Sequence, residues 1–215
     1  MKPQSSGSIG LAPAYWETAC RALGRIDPIM KHLIKQFPES VLISRRQPFV
    51  TLVRSIVGQQ ISVRAADAIW QRFSSRIGDV NPDGILSVSE ADLRAVGLSL
   101  RKVTYLHHLS ERFKQGLISP ESWPEMTDFS IIEELTQTRG IGVWTAEMLL
   151  IFNLQRPDVF PLDDIGLQKA VALHYFDGVR PTRGQLREFG ERWSPWRSVA
   201  TWYLWRSLDP VPVEY

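Results

Sequence analysis

The sequence predicts an all-α fold, and three observations carry that expectation. Apolar residues recur at helical spacing along most of the chain, as in TLVRSIVGQQISVRAADAIWQRF from Thr51 to Phe73. Long polar-apolar alternations, the signature of half-buried strands, are missing. The gaps between helical stretches are only a few residues long, as in compact helical domains.

The elements follow in order. The Thr51–Phe73 stretch breaks at Gly58-Gln59-Gln60, and Ser62 is placed to cap a second helix. EADLRAVGLSLRKVTYLHHLSERFKQG, from Glu90 to Gly116, divides at Val96-Gly97-Leu98. Ser130-Ile131-Ile132-Glu133 has the spacing of a capping box and predicts the start of a short helix. Further helices are expected at about 143–154, 164–176, 182–191 and 195–207. The polar opening MKPQSSGSIG lacks a signal-peptide core, and 1–12 is expected to be a flexible tail.

Composition narrows the class. With 44% hydrophobic and 22% charged residues the chain is balanced like an ordinary soluble domain. No apolar run approaches the ~18 residues of a membrane span, so no membrane partner is expected. Cys20 stands alone, which excludes an intrachain disulfide and an all-cysteine cluster and suits a reducing cytoplasm. His32, His107, His108 and His174 show no ligand spacing with acids or cysteine, so no metal is assigned to them. Net charge is only +2, but Lys2, Lys31, Lys35, Lys102, Lys114 and Lys169 are the only lysines among 25 basic residues. Arginine forks suit phosphate, although arginine richness also follows base composition.

The most informative stretch is LTQTRGIGVWTAEML, 135–149. A helix, a tight Gly140-Ile141-Gly142 turn and a second helix form a helix-hairpin-helix pattern. Glycines let another surface approach, and the first amides of the second helix point outward at the positive end of its dipole, a site suited to phosphate. Ile141 can plug the gap between the helices. Carbonyls of Thr136, Thr138 and Ile141 are candidates to hold a sodium or potassium ion bridging to phosphate. A plain helix corner remains open as an alternative for the turn alone. Downstream, DVFPLDDIGLQ (158–168) puts two acids where a helix begins. A cap and a first-turn acid would explain them structurally; a carboxylate presented for catalysis is the functional alternative.

These stretches together resemble the DNA glycosylase superfamily named for helix-hairpin-helix and Gly/Pro-Asp, and within it the alkylation-repair DNA-3-methyladenine glycosylase II branch in its compact form. The resemblance runs from Tyr15 to about Leu208, through RSIVGQQISVRAA (54–66), LRAVGLSLRKVTYL (93–106), RGIGVWTAEMLL (139–150), DVFPLDDIGLQ (158–168) and RWSPWRSVATWYLW (192–205). It implies two helical lobes, 45–158 carrying the hairpin and 13–44 joined with 159–215, with the active site in the cleft between them. It implies a monofunctional glycosylase of base excision repair that hydrolyses the N-glycosidic bond of alkylated purines. Asp164 corresponds to the catalytic acid, and Asp163 is expected to cap or orient the helix. Where bifunctional relatives carry a lysine nucleophile, this chain has Trp144, so no lyase activity is expected.

Trp144, Trp205 and Tyr203 are implied as the base pocket, with Tyr15 a weaker candidate, since aromatic faces attract a cationic base by ~0.5 to 2 kcal/mol. The core is expected to take Trp70, Trp193, Trp196 and Trp202. Gln59, Gln60, Arg101, Lys102, Gly140, Gly142 and Thr145 are the implied DNA contacts, Gln60 as the wedge that fills the space of a flipped base. The expected partner is double-stranded DNA with a flipped damaged base, bound by a monomer without a required cofactor. A glycosylase for a deaminated or oxidised base and a non-catalytic DNA-binding module remain as alternatives.

Overall fold

The computed structural model describes residues 12–44 and 46–208. The expected tail at 1–12 falls on residues 1–11, outside the described residues, and on Ala12. Among the described residues the chain forms α-helices and short 3-10 turns and no strand, which is the fold class the sequence predicts.

The chain divides into two compact units. One joins the segment up to Arg46 with the segment from Leu150 onward; the other spans Gln47–Leu149. The expected division lay at 44/45 and 158/159. The second crossing falls earlier, inside a helix, because Phe152 packs its ring against Trp202 and Trp205 of the C-terminal segment.

The first unit opens with α1 (Trp16–Ile26) and α2 (Pro28–Gln36). Asp27 between them accepts hydrogen bonds from the amides of Ile29 and Met30, and Pro28 at the first helical position needs no partner for an N–H it lacks. The buried Asp27 carboxylate also accepts from Tyr175 Oη and Trp193 Nε1, each at 2.9 Å. An acid so placed is stable because every polar demand is met inside the protein.

The second unit contains α3 (Pro48–Gly58), α4 (Val63–Ile77), α5 (Pro82–Ser87), α6 (Glu90–Ala95), α7 (Leu100–Lys114) and α8 (Asp128–Thr136). Ser62 caps α4 as expected, and Ser99 caps α7. The break at Gly97 is real: its φ of +107° lies where other residues are strained. The short helix before the hairpin starts earlier than the Ser130 box implies. Thr127 is the cap, its Oγ1 accepting the Ser130 amide, because its own backbone is extended and Asp128 already complements the first turn. Next comes α9 (Val143–Phe152), in which the crossing between units falls.

In the C-terminal segment, α10 (Ile165–Tyr175) and α11 (Arg183–Gly190) lead to α12 (Arg197–Leu208). Every residue from Ser198 to Leu204 is buried, so α12 is a core helix rather than one with a single apolar stripe. Trp193 and Trp202 lie in the core as expected. Trp196 precedes the helix and is half-buried, stacked on Tyr15 at 5.7 Å. No helix among the described residues is long and apolar enough to cross a membrane.

Candidate functional site

In the second unit the hairpin turn is fixed from several directions. Gly140 has φ +86°, and a Cβ there would lie 2.2 Å from the Tyr105 ring, so backbone angle and packing both demand glycine. Ile141 is buried, as the plug between the helices should be, and its amide donates to the Thr138 carbonyl at 3.0 Å. The Arg139 amide donates to His108 Nδ1 at 3.0 Å. Gly142 is different. Its backbone is not left-handed, and a Cβ there would meet nothing within 4 Å. Nothing inside this unit explains that glycine, whereas a ligand surface approaching the turn would.

Around the turn lies a pocket of about 420 Å³ lined by Gln59, Gln60, Ser99, Arg101, Lys102, Tyr105 and the Gly140–Gly142 turn. Three segments far apart in sequence therefore converge, and with them Gln59, Gln60, Arg101, Lys102, Gly140 and Gly142 of the expected DNA contacts. Thr145 does not join them: it is 5% exposed, on the inward face of α9, so its side chain is withdrawn from any ligand. Arg101 is exposed and donates from Nε to Tyr105 Oη at 2.8 Å. Lys102 is half-buried, and burial holds its pKa below the ordinary lysine value. Gln60 is exposed with φ +59°, a conformation that costs about 1 kcal/mol for a residue with a side chain. Strain of that kind collects at functional loops.

The first unit carries the acid. Asp164 is the N-cap of α10, and its Oδ1 accepts from the Leu167 amide at 2.6 Å and from Trp205 Nε1 at 2.8 Å. The residue is 9% exposed. Trp205 is itself fixed by stacking on Phe152, centroids 5.6 Å apart and planes within 5°. Gly166 completes the arrangement: a Cβ there would stand 3.1 Å from both Asp164 Oδ1 and Trp205 Cδ1. Asp163 does not cap or orient the helix. It turns to solvent and pairs with Arg183, Nε to Oδ1 at 2.9 Å, and that guanidinium holds its carboxyl below the usual range. The cap and the candidate catalytic acid are therefore one residue.

The expected base-pocket aromatics separate. Trp205 lies against Asp164. Tyr203 is 2% exposed, packs on Trp16 and sits 3.5 Å from Cys20 Sγ, so it belongs to the core, and burial pushes its pKa up. Tyr15 donates its hydroxyl to the Gln155 carbonyl at 2.6 Å. Trp144 is half-buried on α9 in the second unit.

The model of the HhH-GPD superfamily base excision DNA repair protein matches residues 53–195, across both the hairpin and Asp164. The chain belongs to that superfamily. Membership is supported by a Schizosaccharomyces pombe relative, DNA-3-methyladenine glycosylase 1, 34% identical over 86% of this chain and 84% of its own. Among solved structures, an S. pombe 3-methyladenine DNA glycosylase in complex with abasic DNA aligns with TM-score 0.78 at 32% identity, covering 91% of this chain and all of that one. A DNA-3-methyladenine glycosidase from Bacillus halodurans aligns with TM-score 0.76 at 33% identity, over 87% and 89% of the two chains.

Within the superfamily frame, sequence reasoning did not find the partners that hold the candidate site residues. Gly166 was legible as a glycine one position past the acid's helix start, but its reason, room for the Asp164–Trp205 bond, needs the fold. Tyr105 was legible only as one aromatic in a helix, and Arg183 as one arginine among many.

Proposed function

We propose that this chain is a monofunctional DNA glycosylase that releases alkylated purines and leaves an abasic site. The observation that carries the proposal is the polar pocket that gathers Gln60, Arg101 and the open Gly142 at one hairpin. The relatives named above act, by their names, on 3-methyladenine. In this reading the outward amides of α9 and the bare Gly142 hold phosphate without regard to sequence, and Arg101 adds a charge-assisted contact. Gln60, pre-set in its left-handed conformation, fills the space of the flipped nucleotide.

Chemistry falls to Asp164. Cleaving the N-glycosidic bond develops positive charge on the sugar, and a carboxylate held by two donors stabilises that charge and directs water to the anomeric carbon. An alkylated purine carries a formal positive charge, which weakens the bond and is attracted to an aromatic face such as that of Trp205. Trp144 stands at the lyase-lysine position and has no amine to form a Schiff base, so the reaction ends at hydrolysis.

A sodium or potassium ion fits the hairpin. The candidate carbonyls of Thr136, Thr138 and Ile141 are hard oxygen ligands, and the adjoining Thr138 hydroxyl is buried without a hydrogen-bond partner. Bound there, the ion would add positive charge beside a phosphate. The protein works as a monomer on chromosomal DNA in the cytoplasm.

Two measurements test the proposal. Mass spectrometry of bases liberated from methylated duplex should find 3-methyladenine or 7-methylguanine. Borohydride trapping on abasic duplex should give no covalent adduct. Absence of released alkylpurine, or a trapped adduct, contradicts it.

A further inference from the structure

Gln59 and Lys102 line the pocket beside Gln60 and Arg101, yet each directs its polar head at the protein. Lys102 Nζ donates to the Val57 carbonyl at 2.7 Å. Val57 lies in the last turn of α3, where carbonyls lack helical partners and the dipole favours a cation. Gln59 Nε2 donates to the Gly140 carbonyl at 2.8 Å, and Gly140 is immobilised by Tyr105 and its own left-handed angle. Between these anchors the chain leaves α3 at Gln59, with ψ 133°, and Gln60 follows at φ +59°.

We infer that Lys102 and Gln59 are positioning residues that lock the 59–61 loop to the end of α3 on one side and to the hairpin turn on the other. They do not themselves hold phosphate. This rests on the glycosylase reading above. Arg101 and Lys102 look interchangeable in the sequence, as adjacent cations in a DNA-facing segment. Their settings separate them: Arg101 is exposed, whereas Lys102 is withdrawn and bonded to main chain. The half-buried ammonium is disfavoured by desolvation, as expected for a cation turned inward rather than toward solvent. The network links the turn that grips DNA to the residue that inserts into it, so insertion geometry is set before the lesion arrives. A strained Gln60 conformation persists only where its surroundings over-determine it, and these two bonds supply that constraint.

The salt dependence of binding separates positioning from phosphate contact. Lys102→Met, Lys102→Arg and Gln59→Leu are prepared in the full chain. Each is titrated against an intact duplex and one carrying a tetrahydrofuran abasic analogue, from about 50 to 200 mM KCl. Single-turnover release of 7-methylguanine is followed in parallel. Lys102→Met and Gln59→Leu should keep the parent affinity and salt slope on intact duplex. Their preference for the abasic duplex and their release rate should fall about tenfold, since a small misplacement slows a reaction that depends on positioning. Lys102→Arg, which restores a cationic donor, should regain most of the rate. A salt slope reduced by about 0.9 with equal weakening on both duplexes would make Lys102 a phosphate contact and overturn the inference. Unchanged rate and preference would overturn it as well. If Lys102→Met does not fold, Gln59→Leu, which leaves α3 with its lysine cap, carries the same test. If the parent releases no alkylpurine but the variants still lose abasic preference, the glycosylase reading fails and the positioning role stands.

Discussion

The unit that carries the hairpin and the unit that carries Asp164 fix their functional groups by opposite means. Around the hairpin the groups are exposed or half-exposed and are set by side chains bonded to backbone: Gln59 to the Gly140 carbonyl, Lys102 to the Val57 carbonyl, His108 to the Arg139 amide. Around Asp164 the acid is buried, bonded to an indole that is stacked on Phe152. On the proposed function, the difference follows from the task. A surface that meets a polyanion of any sequence needs backbone amides and bare approach, and it keeps its shape by tying down loops. A carboxylate that meets developing charge needs a fixed position away from bulk water, and aromatic packing supplies that.

Four substitutions and one titration probe that difference, from the largest effect down. Asp164→Asn keeps an oxygen to accept from Leu167 and Trp205, so the fold and duplex binding should survive while release slows at least about 100-fold. Single-turnover kinetics beside a binding titration checks both halves. Gly140→Ala should destabilise the protein by about 3 kcal/mol, since it combines a left-handed angle with a clash on Tyr105; a denaturant titration reads this directly. Gly142→Val is its counterpart. With no atom within 4 Å of the added Cβ, stability should hold while affinity for every duplex drops about tenfold. Trp205→Phe keeps a ring to stack on Phe152 but loses the bond to Asp164; release should slow by about tenfold with binding unchanged.

The smallest effect is a titration at high pH. Tyr15, Tyr175 and Tyr203, all in the Asp164 unit, have phenols whose pKa burial raises well above the ordinary value. A raised folded pKa means the neutral form favours the fold. That stability is full below the unfolded tyrosine pKa, near 10, and is lost as pH rises through the folded values. Phenolate absorbance from these residues should therefore appear together with loss of helical signal. Ionisation of all three in a still-folded protein would refute their burial.

The two units were also unequally legible in the sequence. Helix existence was readable from apolar spacing, and the break at Gly97 and the cap at Ser62 from local chemistry. Local signals compete, and Thr127 overrode Ser130 because both can cap and the earlier one has the extended backbone. The hairpin was readable because Gly140-Ile141-Gly142 is contiguous. Tyr105, which makes Gly140 obligatory, is thirty-five positions away, so no window contains the reason. The same holds for Asp164 and Trp205, which were singled out separately but whose bond depends on α12 packing beside α10. Burial was the weakest inference: Tyr203 and Thr145 were expected at the site, and both face inward. α12 is surrounded on all sides, so no stripe in its sequence marks which residue faces a ligand.

The role of Asp164 is tested most directly by base release from the same methylated duplex by Asp164→Asn and its parent, with affinity for an abasic duplex determined for both. The prediction is free alkylpurine from the parent, essentially none from the variant, and closely similar affinities. Parent-like release by Asp164→Asn would contradict the assignment of the chemistry to that carboxylate.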